Sequence, residues 1–102
     1  MKVGFLQTSP VFGKKEENID TALAKINPLD ADLVVLPELF STGYQFTSKE
    51  ETLALAEIVP DGQTTRVLIH LSKEKDLYIV AGLSERENRR CYNSAVLVGP
   101  HG

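Results

Sequence analysis

An α/β domain built on a mixed sheet, in the order β-α-β-α-α-β-β, is predicted by three observations. Leu33 to Leu36 is a continuous apolar, β-branched run, the pattern of a strand covered on both faces in a parallel sheet. A short strand pattern and then a stretch with apolar residues at helical spacing precede it, which makes a βαβ unit. Toward the other end, two apolar stretches flank a polar loop short enough for an antiparallel hairpin.

The elements follow in order. Lys2 to Gln7 places Val3, Phe5 and Gln7 on one side and Gly4 and Leu6 on the other, a strand ended by Thr8-Ser9-Pro10. After Gly13, the residues Ile19, Ala22, Leu23 and Ile26 form one apolar stripe while Lys15, Glu16, Asp20 and Lys25 take the opposite face. This first helix stops near Asn27-Pro28, because proline disfavours helix in the residue before it. Ser48-Lys49-Glu50-Glu51 fits a capping box and opens a second helix through Leu53, Ala56 and Ile58. Pro60-Asp61-Gly62 breaks it, and Val67, Leu68 and Leu71 mark a third helix lasting to the charged run Lys73 to Asp76. Leu77 to Leu83 and Tyr92 to Val98 are the last two strands, joined by the polar loop Glu85 to Arg90.

Composition bounds the function. The 102 residues are enough for one domain, with 42% hydrophobic and 25% charged residues, as in soluble globular proteins. The net charge of -3 comes from interspersed signs, which gives no footprint for nucleic acid or an anionic membrane, and Arg89-Arg90 reads as a solvated turn. No run reaches the ~18 apolar residues of a membrane span and no signal-peptide profile opens the chain, so a cytoplasmic protein is expected. A single cysteine with His70 and His101 supplies no disulfide framework and no metal cluster, and no glycine-rich phosphate signature is present. Neither metal nor cofactor is expected.

The chemistry concentrates at Glu38. Pro37 cannot donate to a sheet ladder, so the strand ends there and Glu38 projects from the carboxyl rim, where open α/β sheets bind ligands. By position alone it is a solvated rim carboxylate. The flanking residues change that reading. Val3-Gly4-Phe5-Leu6-Gln7, the helix containing Asn18, Leu33 to Phe40 with Thr42-Gly43-Tyr44, Tyr78 to Gly82, and Tyr92-Asn93-Ser94-Ala95-Val96 together resemble the amino-terminal part of the nitrilase superfamily of carbon-nitrogen hydrolases. The resemblance spans essentially the whole chain, and its sharpest element is the pattern L-P-E-x-F-x-T-G-Y.

The resemblance implies a four-layer αββα sandwich and a site combining a glutamate, a lysine and a nucleophilic cysteine. Glu38 matches the glutamate, as general base for a thiol whose ordinary pKa of about 8.5 leaves it protonated at neutral pH. Tyr44 and Phe40 follow Glu38 closely and are candidates to line a substrate pocket, with core packing an equal alternative for Phe40, and the resemblance implies a small amide or nitrile as substrate. The family's lysine and cysteine lie in segments following the hairpin, so residues 1–102 are expected to be a partial domain that ends before both and is inactive alone. Cys91 opens a strand and is expected to be packed, Lys73 and Lys75 belong to a charged helix end, and Asn93 is expected to make a structural hydrogen bond. One sheet face would lack its covering layer. Each inward side chain left bare forfeits ~1.5–3 kcal/mol, so about six of them rival the ~5–15 kcal/mol stability of a domain. The expected partners are therefore a second copy of the chain or a complementing carboxy-terminal fragment. The alternative is a non-enzymatic interaction module using that same face.

Overall fold

The computed structural model describes residues 1–43 and 48–102. Its elements are β1 (Val3–Phe5), α1 (Lys15–Ile26), β2 (Leu33–Val35), α2 (Lys49–Leu55), α3 (Gln63–Lys75), β3 (Tyr78–Glu87) and β4 (Arg90–Val98). The order along the chain is the one expected. The strands form one sheet in the order β1-β2-β3-β4, with β1–β2 and β2–β3 parallel and β3–β4 antiparallel.

Both parallel crossovers step the same way across the sheet. A common right hand therefore lays their helices on one face. On that face Val34, Ile79 and Ala81 have no exposed surface and join Ile19, Ala22 and Ile26 of α1 and Leu68 and Leu71 of α3 in a single core. Directly paired residues point the same way, so the rows Val3–Leu33–Tyr78 and Phe5–Val35–Val80–Leu97 lie on the opposite face. There no helix of the described residues covers them: Phe5 is 76% exposed, Leu97 65%, Val3 61% and Tyr78 48%. The chain thus supplies one helical layer and one sheet.

Local chemistry explains most of the boundaries. Glu16 and Glu17 open α1 and Lys25 closes it, each complementing the helix dipole. Ser48 accepts from the Glu51 amide (3.1 Å), the expected cap of α2. That helix ends at Leu55 rather than Ile58, because residue 57 is taken by the sheet: Glu57 N–H donates to Ser84 O (2.9 Å) and Arg86 N–H to Glu57 O (2.6 Å). The Glu57 side chain turns inward. Its buried carboxylate accepts from the Thr64 amide (2.6 Å) and hydroxyl (2.5 Å) and pairs with Lys15 Nζ (2.7 Å), which satisfies the charge and caps α3. Helix α3 accordingly begins at Gln63, before its first apolar residue, and ends at Asp76 in the left-handed region (φ 54°).

The hairpin also differs from expectation. Residues 85–87 and Arg90 are strand, and only Asn88 and Arg89 turn the chain. Their polarity reflects exposure at the sheet's far end rather than a loop, and Asn88 tolerates the positive φ of 57° that so tight a turn demands. At the opposite edge, Lys2 bonds Asp30 (2.9 Å) on the exposed surface, which raises the lysine's pKa and lowers the aspartate's.

Candidate functional site

The candidate site is made where β2 leaves the sheet. Leu36 N–H still donates to Val80 O (2.8 Å), and the even spacing of a parallel ladder would bring Glu38 N–H to Gly82 O next. Phe40 N–H reaches that carbonyl instead (3.4 Å), so two extra residues are pushed out between these anchors. Pro37, with no N–H, begins the departure, and Leu39 completes it with a φ of 50° that a branched side chain rarely adopts. The displaced residue is Glu38, which is exposed.

Both sides of the projection are pinned. Phe40 is buried in the helix-covered core, and the following Ser41 and Thr42 are buried too. Gly43 N–H donates to Leu39 O (2.9 Å), and Gly13 N–H to Thr42 O (2.9 Å). The buried Asn18 amide clamps the two loops together, accepting from Val11 N–H and donating to Val11 O and Ser41 O, each at 2.8 Å. On the β3 side the Glu38 backbone lies against a glycine. A Cβ on Gly82 would stand 2.7 Å from Glu38 Cα, so any other residue there would push the carboxylate's base away.

Strand β4 brings the remaining groups. Gly82 pairs with Ala95 and Ser84 with Asn93, which puts Asn93 on the open face two pairs along from Gly82. Asn93 Nδ2 donates to Glu38 Oε1. Next to this contact lies a cavity of about 180 Å³ lined by Leu39, Thr52, Ser84, Cys91, Tyr92 and Asn93. Cys91 is a free, half-buried thiol on the same strand face as Asn93.

The sequence reading and the structure meet at several points. Glu38 stands just past the carboxyl end of β2, where the sequence reading put it. Asn93 makes the side-chain hydrogen bond expected of a polar residue in an apolar strand, and its partner is Glu38 itself. Tyr44 lies outside the described residues. Lys75 donates to Asn27 O (2.5 Å) at the end of α3, and His70 pairs with Glu74 (3.3 Å) on an exposed helix face. Gly82 and Leu39 entered the sequence reading only within longer segments, with no role of their own at the site. A glycine inside a strand signals close backbone approach and could have flagged the first. Leu39 carries no such signal. Among the described residues no three His, Cys, Asp or Glu side chains converge as a metal site requires, and no helix is long and apolar enough to cross a membrane.

Comparison with known proteins is consistent over the full chain. The family model for carbon-nitrogen hydrolase matches residues 2–102. A nitrilase of Pyrococcus abyssi is 40% identical over 105 aligned residues, covering 100% of this chain and 40% of that protein. A 2-oxoglutaramate amidase of Bacillus subtilis is 33% identical, covering 98% of this chain and 38% of that protein. Among solved structures, an N-terminal amidase superposes with a TM-score of 0.85 at 25% identity, over 97% of this chain and 25% of that one. Nit3 of Saccharomyces cerevisiae, a nitrilase-superfamily member, gives 0.82 at 26% identity over 100% of this chain and 41% of its own. The chain therefore spans about two fifths or less of the length of these relatives.

Proposed function

The chain belongs to the carbon-nitrogen hydrolase family, and from that premise we propose that it is the amino-terminal part of an enzyme hydrolysing a small amide or nitrile, with Glu38 as general base. The observation that carries the reading is the forced projection of Glu38 between Leu36 and Phe40, held against Gly82 at the end of β2. A backbone does not leave a ladder at a left-handed leucine without cost, about 1–3 kcal/mol for such a conformation, and sites of reaction are where that cost is commonly met.

In this reading the remainder of the hydrolase domain contributes a cysteine and a lysine. Glu38 takes the thiol proton, the thiolate bonds to the amide or nitrile carbon, and the lysine stabilises the negative charge that develops on the substrate. Glu38 then returns its proton to the substrate nitrogen. For an amide the carbon–nitrogen bond breaks and an amine or ammonia leaves; for a nitrile, water adds to the thioimidate carbon, the carbon–nitrogen bond then breaks and ammonia leaves, giving the same acyl-enzyme. A water deprotonated by Glu38 attacks that thioester, and the thiolate leaves. Residues 1–102 alone carry only the base, so they are inactive by themselves. The amide assignment draws on relatives named as amidases and the nitrile assignment on one named nitrilase.

The test joins this chain to a carboxy-terminal segment carrying the cysteine and lysine and follows ammonia release. Glu38→Gln should lower the rate about 10²–10⁴-fold, the usual contribution of a general base. An unchanged rate rejects the assignment. A second reading, association through the open sheet face, is favoured by the exposure of Phe5, Val3 and Leu97. It predicts concentration-dependent dimers of the 102-residue chain in sedimentation, and a dispersed monomer at every concentration ends it.

A further inference from the structure

We propose that Asn93 is the positioning residue of Glu38, its side-chain amide holding the carboxylate at Oε1 in the orientation the base needs. The inference rests on the general-base reading above. It starts from a difficulty that the backbone does not solve. The two-residue projection fixes where Glu38 begins, with Gly82 against its Cα, but a glutamate has three side-chain torsions beyond that point. A base that wanders by an ångström can lose about 10²-fold in rate. Support at the far end of the side chain narrows that freedom.

Asn93 supplies it from a different element. Strand β4 is paired to β3 over its whole length, from Arg90 opposite Glu87 to Val98 opposite Ile79, so Asn93 rides on a platform that is itself fixed. On that face the strand runs on into Ala95 and Leu97, which have no polar group in their side chains, and the Asn93 NH₂ group donates to Glu38 Oε1. The direction is dictated by charge: only the NH₂ end of an amide can face a carboxylate, because its oxygen would be repelled. A neutral donor holds Oε1 in either protonation state of Glu38, whereas a lysine at position 93 would stabilise the anion and blunt it as a base.

The experiment uses the assembled hydrolase, with Asn93→Ala, the isosteric Asn93→Asp and Glu38→Gln. Asn93→Ala is expected to lower kcat about 10–100-fold with KM changed less than about 3-fold, since alignment of the base is lost and substrate binding is not. Asn93→Asp keeps the shape but offers a donor only while the two carboxyls share one proton, so its activity should shift to lower pH. Thermal melts of the 102-residue chain carrying either variant should stay within a few degrees of the parent, because Asn93 is exposed there. A wild-type kcat in Asn93→Ala, or an Asn93→Asp rate that falls with no displacement of its pH profile, overturns the proposal. The contact is read separately by NMR of the Asn93 side-chain amide, whose signals should move in Glu38→Gln. Signals that ignore that change sink the positioning role and leave the base assignment standing. Glu38→Gln at the parent rate sinks the base assignment, and the positioning role with it, even where the amide signals move.

Discussion

The two faces of one sheet are made from the same strands and behave oppositely. Val34, Ile79 and Ala81 point toward α1 and α3 and are completely buried, while their chain neighbours Leu33, Tyr78 and Val80 point the other way, with Tyr78 48% exposed. The covered face holds the stability of the chain. The open face holds Glu38, Gly82 and Asn93, together with apolar side chains that a packed domain would normally hide. The difference teaches that the packed core and the proposed site are divided between the sides of β3. A residue's role follows from its parity in the strand more than from its distance along the chain.

The sharpest way to break that division is to truncate one side chain on each face and compare urea or thermal melts. Ile79→Ala on the covered face should cost about 2–5 kcal/mol, from lost burial plus a cavity. Phe5→Ala on the open face should change the stability of the chain by less than about 0.5 kcal/mol. A Phe5→Ala loss as large as that of Ile79→Ala would mean that another copy already covers this face. In the assembled hydrolase the Phe5→Ala cost should rise, because the open face is then expected to be covered.

Gly82→Ala probes the boundary between the faces. The new methyl would meet backbone at 2.7 Å, so it should destabilise by about 1–3 kcal/mol and displace Glu38 from its seat. Activity of the assembled enzyme should fall further than that of a distant substitution with an equal melting shift. Asp76→Gly is the smallest of the set. At φ 54° an aspartate is strained where glycine is not, so the change should stabilise α3 and the covered face by about 0.5–1 kcal/mol, read as a melting temperature a few degrees higher, without altering ammonia release.

Much of this was legible in the residues because it depends on near neighbours. The helical stripe from Ile19 to Ile26, the Ser48 cap, the apolar run at Leu33 and the proline before Glu38 each act within a few positions, and each element appears in its expected order. What was misjudged depends on distant partners. Residues 56–58 carry a helical pattern yet leave α2, because Glu57 finds the edge of β3 and the amino end of α3. The polar stretch from Glu85 to Arg90 looked like a loop because its side chains face solvent, whereas the backbone there keeps its ladder almost to the turn.

The sequence by itself determined the element order, the βαβ start, the helix cap and the strand exit at which Glu38 stands, since periodicity, capping and flanking pattern are all written in short stretches of chain. Only the tertiary structure decided that both crossover helices share one face, that Glu38 is wound out over Gly82, and that its carboxylate meets Asn93, 55 positions away. The reason is register: which side chains meet across a sheet is set by the pairing of strands far apart in the chain, and shifting that pairing by one residue would turn Asn93 to the other face.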